Sequence, residues 1–168
     1  MLYSKTLQTP LGNMFAIANN NALLLLDFVG GKYFEQNRNF FCENYINKSN
    51  KIIDLLENEL NLYFNKKLRN FSVPVKFYGT LFQCKVWNSL QQIPYGKIIS
   101  YRQQAENMNI PRAIRAVAAA NSHNKISIVV PCHRVIGTNG DMRGYAGGLE
   151  RKRYLLDLER VNSNESDS

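Results

Sequence analysis

The chain has 168 residues, of which 45% are hydrophobic and 20% charged, so it can form one large domain or two small ones. No apolar run approaches the roughly 20 residues that cross a bilayer, and no basic segment followed by an apolar core opens the chain; we therefore expect a cytoplasmic protein. Three irregularly spaced cysteines and two histidines favour neither a disulfide framework nor a metal site.

The first half of the sequence predicts a small α/β domain. Strand-like segments at 2–7, 14–18 and 22–29 are separated by turn residues at 9–12 and 19–21. Apolar residues at helical spacing predict a helix over about 50–65. Alternation over 71–77 predicts a half-buried strand, whereas residues 31–49 give no clear pattern. We place the end of this supporting domain at residue 79.

From Thr80 onward the pattern is helical. An apolar stripe over 81–90 predicts one helix, and Ser100 is a good N-cap for a second helix over 101–107. Asn109 then occupies a turn where a positive φ is expected, and Pro111 suits the first turn of a helix over 112–120. Two short helices joined by a tight turn predict a helix-turn-helix. A last helix over 149–159 closes this domain of residues 80–160, and we expect 161–168 to be a disordered tail.

The net charge of +8 is concentrated in that second half. Residues 81–160 hold twelve Lys or Arg against five Asp or Glu, whereas residues 1–80 hold nine against six. A basic domain favours a polyanionic partner such as nucleic acid, because each neutralised phosphate releases counterions.

The segment Ile128 to Val135 is the most informative one. Its apolar run predicts a short strand that ends at Pro131 and presents Cys132 at an edge. The thiolate is the nucleophilic form of cysteine, and nearby positive charge from His133 and Arg134 favours it. We therefore interpret Cys132 as a displayed, activated nucleophile. The other two cysteines, Cys42 and Cys84, are better explained as small buried apolar residues.

Several motifs occur in a fixed order: Ser100-Tyr101, Arg115-Ala116-Val117, Asn124, Pro131-Cys132-His133-Arg134-Val135, Tyr145-Ala146-Gly147-Gly148-Leu149 and Glu159. In this order they resemble the O6-alkylguanine-DNA alkyltransferase family, also called methylated-DNA–protein-cysteine methyltransferases. The resemblance is free of gaps over 81–159 and weaker over 1–79, where it depends on Thr9-Pro10-Leu11-Gly12. It implies an α/β N-terminal domain, with a small antiparallel sheet and a helix, followed by a mostly α domain with a winged helix-turn-helix.

The resemblance also implies a function. Such proteins remove an alkyl group from O6 of guanine, with O4 of thymine as a further candidate, in double-stranded DNA. The group stays on the protein's own cysteine, so that each molecule acts once and no cofactor takes part. The resemblance implies a monomer that can assemble cooperatively on DNA. A protein that acts on DNA is expected to be associated with the nucleoid, or to be nuclear in a eukaryote.

The family's roles can be carried over to matching positions. Cys132 would attack, His133 would take the proton through one water, and Glu159 would hold the imidazole. Asn124 would orient the turn, while Tyr101 would donate a proton to the departing base. Arg134 more naturally braces the turn than touches the substrate.

The target base must leave the duplex before it can react. Arg115 matches the residue that fills the vacated space, on a helix whose small residues allow close approach in the minor groove. The predicted DNA-binding set is Ser100, Tyr101, Ala113, Arg115 and Ala116. The predicted substrate pocket, in which Val135 contributes its carbonyl group, comprises Pro131, Val135, Tyr145, Ala146 and Gly147.

Several positions depart from the family's usual pattern: Gln104 replaces leucine, Asn109 replaces glycine, Ile114 replaces alanine and Lys125 replaces proline, while Ala119 stands where glycine is frequent and Ala146 where some members have serine. None of them removes a catalytic group.

Three other functions remain open from the sequence. One is a lesion-sensing relative without chemistry, in which another residue replaces the cysteine. The second is a cysteine hydrolase, which needs a direct Cys–His contact and an oxyanion hole. The third is a helix-turn-helix regulator.

Overall fold

The computed structural model describes residues 1–41, 44–142 and 144–166, so the predicted burial of Cys42 lies outside the described residues. The chain divides into two compact units. One comprises residues 1–78 with 125–127, and the other 79–124 with the residues from 128 onward. No helix among the described residues has the length and hydropathy needed to cross a bilayer.

The N-terminal unit contains a four-stranded sheet in the order β3-β2-β1-β4. Its antiparallel part is built from β1 (Leu2–Thr9), β2 (Gly12–Ala18) and β3 (Leu23–Phe28). A short fourth strand, β4 (Tyr45–Ile46), pairs with β1 in parallel, so the predicted antiparallel sheet is confirmed and gains a parallel edge. The helices are α1 (Phe34–Asn39) and α2 (Lys51–Phe64).

The core of this unit lies between the sheet and α2, which packs against β1 and β2. Every residue of β3 is buried, and the apolar face of α2 contributes Ile53, Leu56, Leu60 and Tyr63, each at most 2% exposed. The segment 125–127 joins this unit through the sheet, since Ser127 N donates to Leu26 O.

The prediction of a strand over 71–77 is wrong. Val75 makes only an isolated bridge to Leu23, and Pro74 has no N–H with which to extend a ladder. The beginning of this segment is held instead by the buried Glu59 carboxylate, which accepts hydrogen bonds from the backbone N–H groups of Ser72 and Val73.

The C-terminal unit is mostly helical. Its elements are α3 (Leu81–Leu90), β5 (Ile99–Ser100), α4 (Tyr101–Asn107), α5 (Ile114–Ser122), a 3₁₀ helix (Cys132–Arg134), β6 (Val135–Ile136) and α6 (Leu149–Ser166). Strands β5 and β6 pair in parallel. Capping boxes at Thr80 and Ser100 open α3 and α4, so the predicted cap at Ser100 and the helix 101–107 are confirmed.

Helices α4 and α5 form the helix-turn-helix. Asn109, in the turn between them, has a φ of 62°, which confirms the predicted left-handed position. The second helix begins at Ile114 rather than at residue 112, because residues 110–113 form a separate turn closed by Ala113 N donating to Ile110 O. Pro111 therefore precedes α5 instead of opening it. The Trp87 indole donates to Ala120 O at 2.8 Å and ties α3 to α5.

Two further predictions differ from the structure. Residues 128–130 form a turn rather than a strand, because Ile128 has a φ of 70° that no extended strand accommodates. Residues 161–166 of the expected disordered tail are helical, and 167–168 lie outside the described residues. Asn162 is buried there, and its Nδ2 donates to Tyr95 Oη at 3.0 Å, which gives the last turns of α6 a tertiary anchor.

Candidate active site

Cys132 opens the 3₁₀ helix and is only 7% exposed, so the predicted nucleophile is buried rather than displayed. Asn124 fixes it in place. Its side-chain Nδ2 donates to Cys132 Sγ at 3.3 Å and to Val130 O at 2.8 Å. One amide group therefore holds both the sulfur and the turn that precedes it. Cys84 differs from expectation too, since it is half-buried in α3.

His133 is fully buried, and its Nε2 lies 2.7 Å from Glu159 Oε2. Burial lowers the pKa of the imidazole, although the charge of Glu159 opposes the shift. Because the ionised carboxylate can only accept, Nε2 carries the ring hydrogen. The other ring nitrogen, Nδ1, is buried and makes no hydrogen bond within the described part of the chain. Its lone pair is thus available to take a proton.

Glu159 is 1% exposed, and both His133 and Arg134 donate hydrogen bonds to its carboxylate. Arg134 donates through Nε to Oε1 at 2.8 Å and through Nη2 to Oε2 at 3.1 Å. Burial alone would raise the pKa of this carboxyl group, but His133 and Arg134 outweigh burial and hold the pKa well below its ordinary value. Arg134 also donates to Ile93 O at 2.7 Å. It braces the carboxylate as well as the turn.

Tyr101 is the first residue of α4. Burial, together with the negative charges of Cys132 and Asp141, raises the pKa of its phenol to about 12. The hydroxyl group therefore stays protonated at neutral pH and can serve as a proton donor. The glycine-rich loop comes close to it, since a Cβ on Gly144 would lie 3.3 Å from Tyr101 Oη. Glycine at this position leaves room beside the phenol.

Sequence reasoning missed Lys152, whose side chain is fully buried. Its Nζ donates to the carbonyl oxygen of Val135 at 2.7 Å and lies 5.9 Å from the centroid of the Tyr101 ring. Burial lowers the pKa of this amine, against the charges of Cys132 and Asp141. Its position could have been found from spacing, because 152, 155 and 159 share one face of α6. The Val135 carbonyl, predicted to face the substrate, has one of its two lone pairs engaged by Lys152.

Three of the predicted DNA-binding residues lie at the start of α5, whereas Ser100 and Tyr101 lie at the start of α4 and are half-buried. Arg115 and Ala116 are exposed, Ala113 is half-buried at the N-cap, and Val117 turns inward. Among the predicted pocket residues, Pro131, Val135 and Tyr145 are buried, and Ala146 and Gly147 are half-buried. No group of three His, Cys, Asp or Glu side chains in the described ranges could hold a metal ion.

Comparisons with known proteins match this arrangement over nearly the whole chain. Residues 2–77 match the family model of the 6-O-methylguanine DNA methyltransferase, ribonuclease-like domain, and residues 81–161 match the model of the DNA binding domain of the same family. The crystal structure of Mycobacterium tuberculosis OGT in complex with DNA is similar, with a TM-score of 0.86 and 36% identity. That match covers 95% of this chain and 94% of the other.

Two curated relatives are similar in sequence. The inducible methylated-DNA–protein-cysteine methyltransferase of Bacillus subtilis is 52% identical over 109 residues, which is 65% of this chain and 61% of that protein. The methylated-DNA–protein-cysteine methyltransferase of Methanosarcina barkeri is 38% identical over 168 residues, or 96% of this chain and 99% of that protein. The two-domain fold is the one expected, and the chain belongs to the 6-O-methylguanine DNA methyltransferase family.

Proposed function

We propose that this protein repairs DNA by transferring an alkyl group from O6 of guanine to the sulfur of Cys132, once per molecule. The observation that carries the proposal is the arrangement around the sulfur. Asn124 holds Sγ at 3.3 Å, and the adjacent His133 is bonded to Glu159 at 2.7 Å with its other nitrogen available. The family of the chain and the names of its relatives support the same reaction.

The first step generates the nucleophile. The thiol proton of Cys132 passes through one water molecule to His133 Nδ1, which leaves a thiolate and an imidazolium. Glu159 stabilises that imidazolium, because its carboxylate accepts from Nε2 and stays ionised. Asn124 meanwhile donates to the sulfur, which favours the charged form of the thiol.

The second step is displacement at the alkyl carbon. A bond forms between Sγ and that carbon while the bond from carbon to O6 breaks, and its electron pair moves into the purine. Tyr101 then gives its phenolic proton to the purine, so that neutral guanine departs. The tyrosinate recovers a proton from solvent. The resulting thioether is stable, and none of the site's groups can hydrolyse it, which limits each molecule to one reaction.

Access to O6 requires that the nucleotide leave the base stack. We assign this step to α5, with Arg115 occupying the space vacated by the base from the minor groove. The exposed position of Arg115 and Ala116 and the basic charge of residues 81–160 support this assignment. Minor-groove contact reads little sequence, which suits a search for damage.

The decisive experiment is intact-protein mass spectrometry after incubation with a duplex that contains one O6-methylguanine. We expect the mass to increase by one methyl group, located on Cys132, and the reaction to stop at one group per molecule. Cys132→Ser should abolish the increase, whereas the matched variant Cys84→Ser should retain it. An unchanged mass with tight binding would instead identify a lesion sensor, and repeated turnover would favour a hydrolase.

A further inference from the structure

Three polar side chains, two buried and one half-buried, form a hydrogen-bonded cluster outside the site described above. They are Ser89 on α3, Gln104 on α4 and Asn121 on α5, which we call the amide cluster. Gln104 and Asn121 are 1% and 3% exposed. Neither is used by the proposed chemistry, and an amide in the interior is costly unless its hydrogen bonds are made.

The hydrogen bonds of the cluster are made. Gln104 Nε2 donates to Ser89 Oγ at 3.0 Å and to Asn121 Oδ1 at 3.1 Å, which uses both of its hydrogens. Asn121 Nδ2 donates back to Gln104 Oε1 at 2.6 Å. The Ser89 hydroxyl group donates to Val86 O. Gln104 is thus the only member of the cluster bonded to both of the others, and it joins three helices.

The cluster joins the helix that carries Tyr101 to the helix that carries Arg115. Gln104 lies one turn after Tyr101 on α4, and Asn121 lies on α5 with Arg115, nearly two turns later. Apolar packing alone is non-directional, whereas a reciprocal pair of amide hydrogen bonds defines both the distance and the register of two helices.

We propose that Gln104 is a positioning residue that sets α5 against α4, so that Arg115 and Tyr101 act on the same flipped nucleotide together. The inference rests on the proposed function. Repair within a duplex needs both helices at once, since Arg115 must hold the gap while Tyr101 reaches the base. A lesion in single-stranded DNA needs only the pocket, because there is no stack to open.

The test compares transfer rates from two substrates that carry the same lesion. One is a duplex with a single O6-methylguanine, and the other is the same oligonucleotide as a single strand. The variants are Gln104→Leu, the double variant Gln104→Leu/Asn121→Leu, and Gln92→Leu as a control for the same change at an exposed site. The ratio of the two rates is independent of the folded fraction, because both substrates draw on the same protein.

We expect Gln104→Leu to lower Tm, because the Asn121 amide loses its partner inside the protein. The double variant should recover much of that loss, since replacing both partners by apolar groups can be nearly neutral. Both should nevertheless reduce the ratio of duplex to single-strand rates by about tenfold or more, as expected when catalytic groups are displaced by a fraction of an ångström. Gln92→Leu should leave the ratio unchanged.

A double variant with the wild-type ratio would overturn the proposal and leave the cluster a purely structural feature. Equal losses on both substrates would also overturn it, because they would locate the effect in the pocket. The experiment distinguishes a failure of the proposed function from a failure of the role given to Gln104. If the unaltered protein transfers no methyl group from either substrate, the proposed function itself fails, whereas normal transfer with an unchanged ratio removes only the role of Gln104.

Discussion

Glu159→Gln is the most informative perturbation of the site, because the side chain keeps its shape and loses its charge. The carboxylate receives donors from His133 and Arg134 at 2.7 to 3.1 Å. In the variant one of these donors must face an NH₂ group, which cannot accept. The Arg134 guanidinium, whose side chain is 8% exposed, also loses its counterion.

The expected magnitude follows from this burial. Removing one partner of a buried ion pair costs about 3–5 kcal/mol, and for a chain of this length each kcal/mol lowers Tm by roughly 2–4 °C. We therefore expect Tm to fall by roughly 6–20 °C at pH 7. The rate of alkyl transfer should fall by about 10²–10⁴, the usual contribution of a well-held general base.

The stability that Glu159 contributes should depend on pH. The pKa of Glu159 is held below its ordinary value, so its contribution to stability is present above the unfolded value of about 4.3. It is lost as the pH falls from there towards the folded pKa. Glu159 raises the pKa of His133 against the effect of burial, so removal of its charge lowers that pKa further, and acidification below about 6.5 should destabilise the variant more than the wild type. The gap in Tm between wild type and variant should therefore narrow only below about pH 4.3, where the contribution of Glu159 is lost.

The assay is thermal unfolding from pH 7 to 3, together with single-turnover transfer from methylated duplex. Glu150→Gln is the control, because it makes the same change at an exposed residue in the first turn of α6. It should alter the free energy of unfolding by no more than about 1 kcal/mol. If Glu159→Gln retained the wild-type Tm and transfer rate, the Glu159 carboxylate would neither stabilise the fold nor support the reaction.

Three further outcomes are expected. Tyr101→Phe should slow transfer by about 10²–10⁴. Because the pKa of Tyr101 is about 12, the wild-type rate should not fall near pH 10. A fall at that pH in the wild type that is absent in the variant would contradict the raised pKa of Tyr101. Arg115→Ala should slow transfer from duplex more than from a single strand, and equal losses would refute a role in base flipping. Asn109→Ala should destabilise the protein by about 1–2 kcal/mol, because alanine is strained at the left-handed φ of 62°. Asn109→Gly should not destabilise it. The free energies of unfolding in urea distinguish the two variants.

Local chemistry explains which elements could be predicted from sequence. Ser100 was recognisable as an N-cap, and Asn109 as a residue that tolerates positive φ, because both effects depend on a few neighbouring residues. By contrast, the apolar run at 128–130 is equally compatible with a strand and with a buried turn. The positive φ of Ile128 is imposed by tertiary packing.

The contacts around the Cys132 sulfur were harder to predict from the sequence. Cys132, His133 and Asn124 could be proposed from motifs, but the sharing of Glu159 between His133 and Arg134 joins residues 25 and 26 positions apart. No local pattern encodes that contact. Lys152 resembles a solvated helix charge until the inward face of α6 is known, and the pairing of Gln104 with Asn121 requires the packing of α4 on α5.

The backbone near Cys132 indicates how the site is held ready. Ile128 is β-branched, has a φ of 70° and is 1% exposed, a conformation that costs about 1–3 kcal/mol. Burial of the side chain offsets that cost. The turn that it allows brings Val130 O to Asn124, whose amide also reaches the sulfur. An enzyme that turns over must also release product from its site, which limits how tightly the nucleophile can be enclosed. A protein that reacts once has no such constraint, and the burial of Cys132 shortly after the strained backbone of Ile128 is consistent with a single reaction.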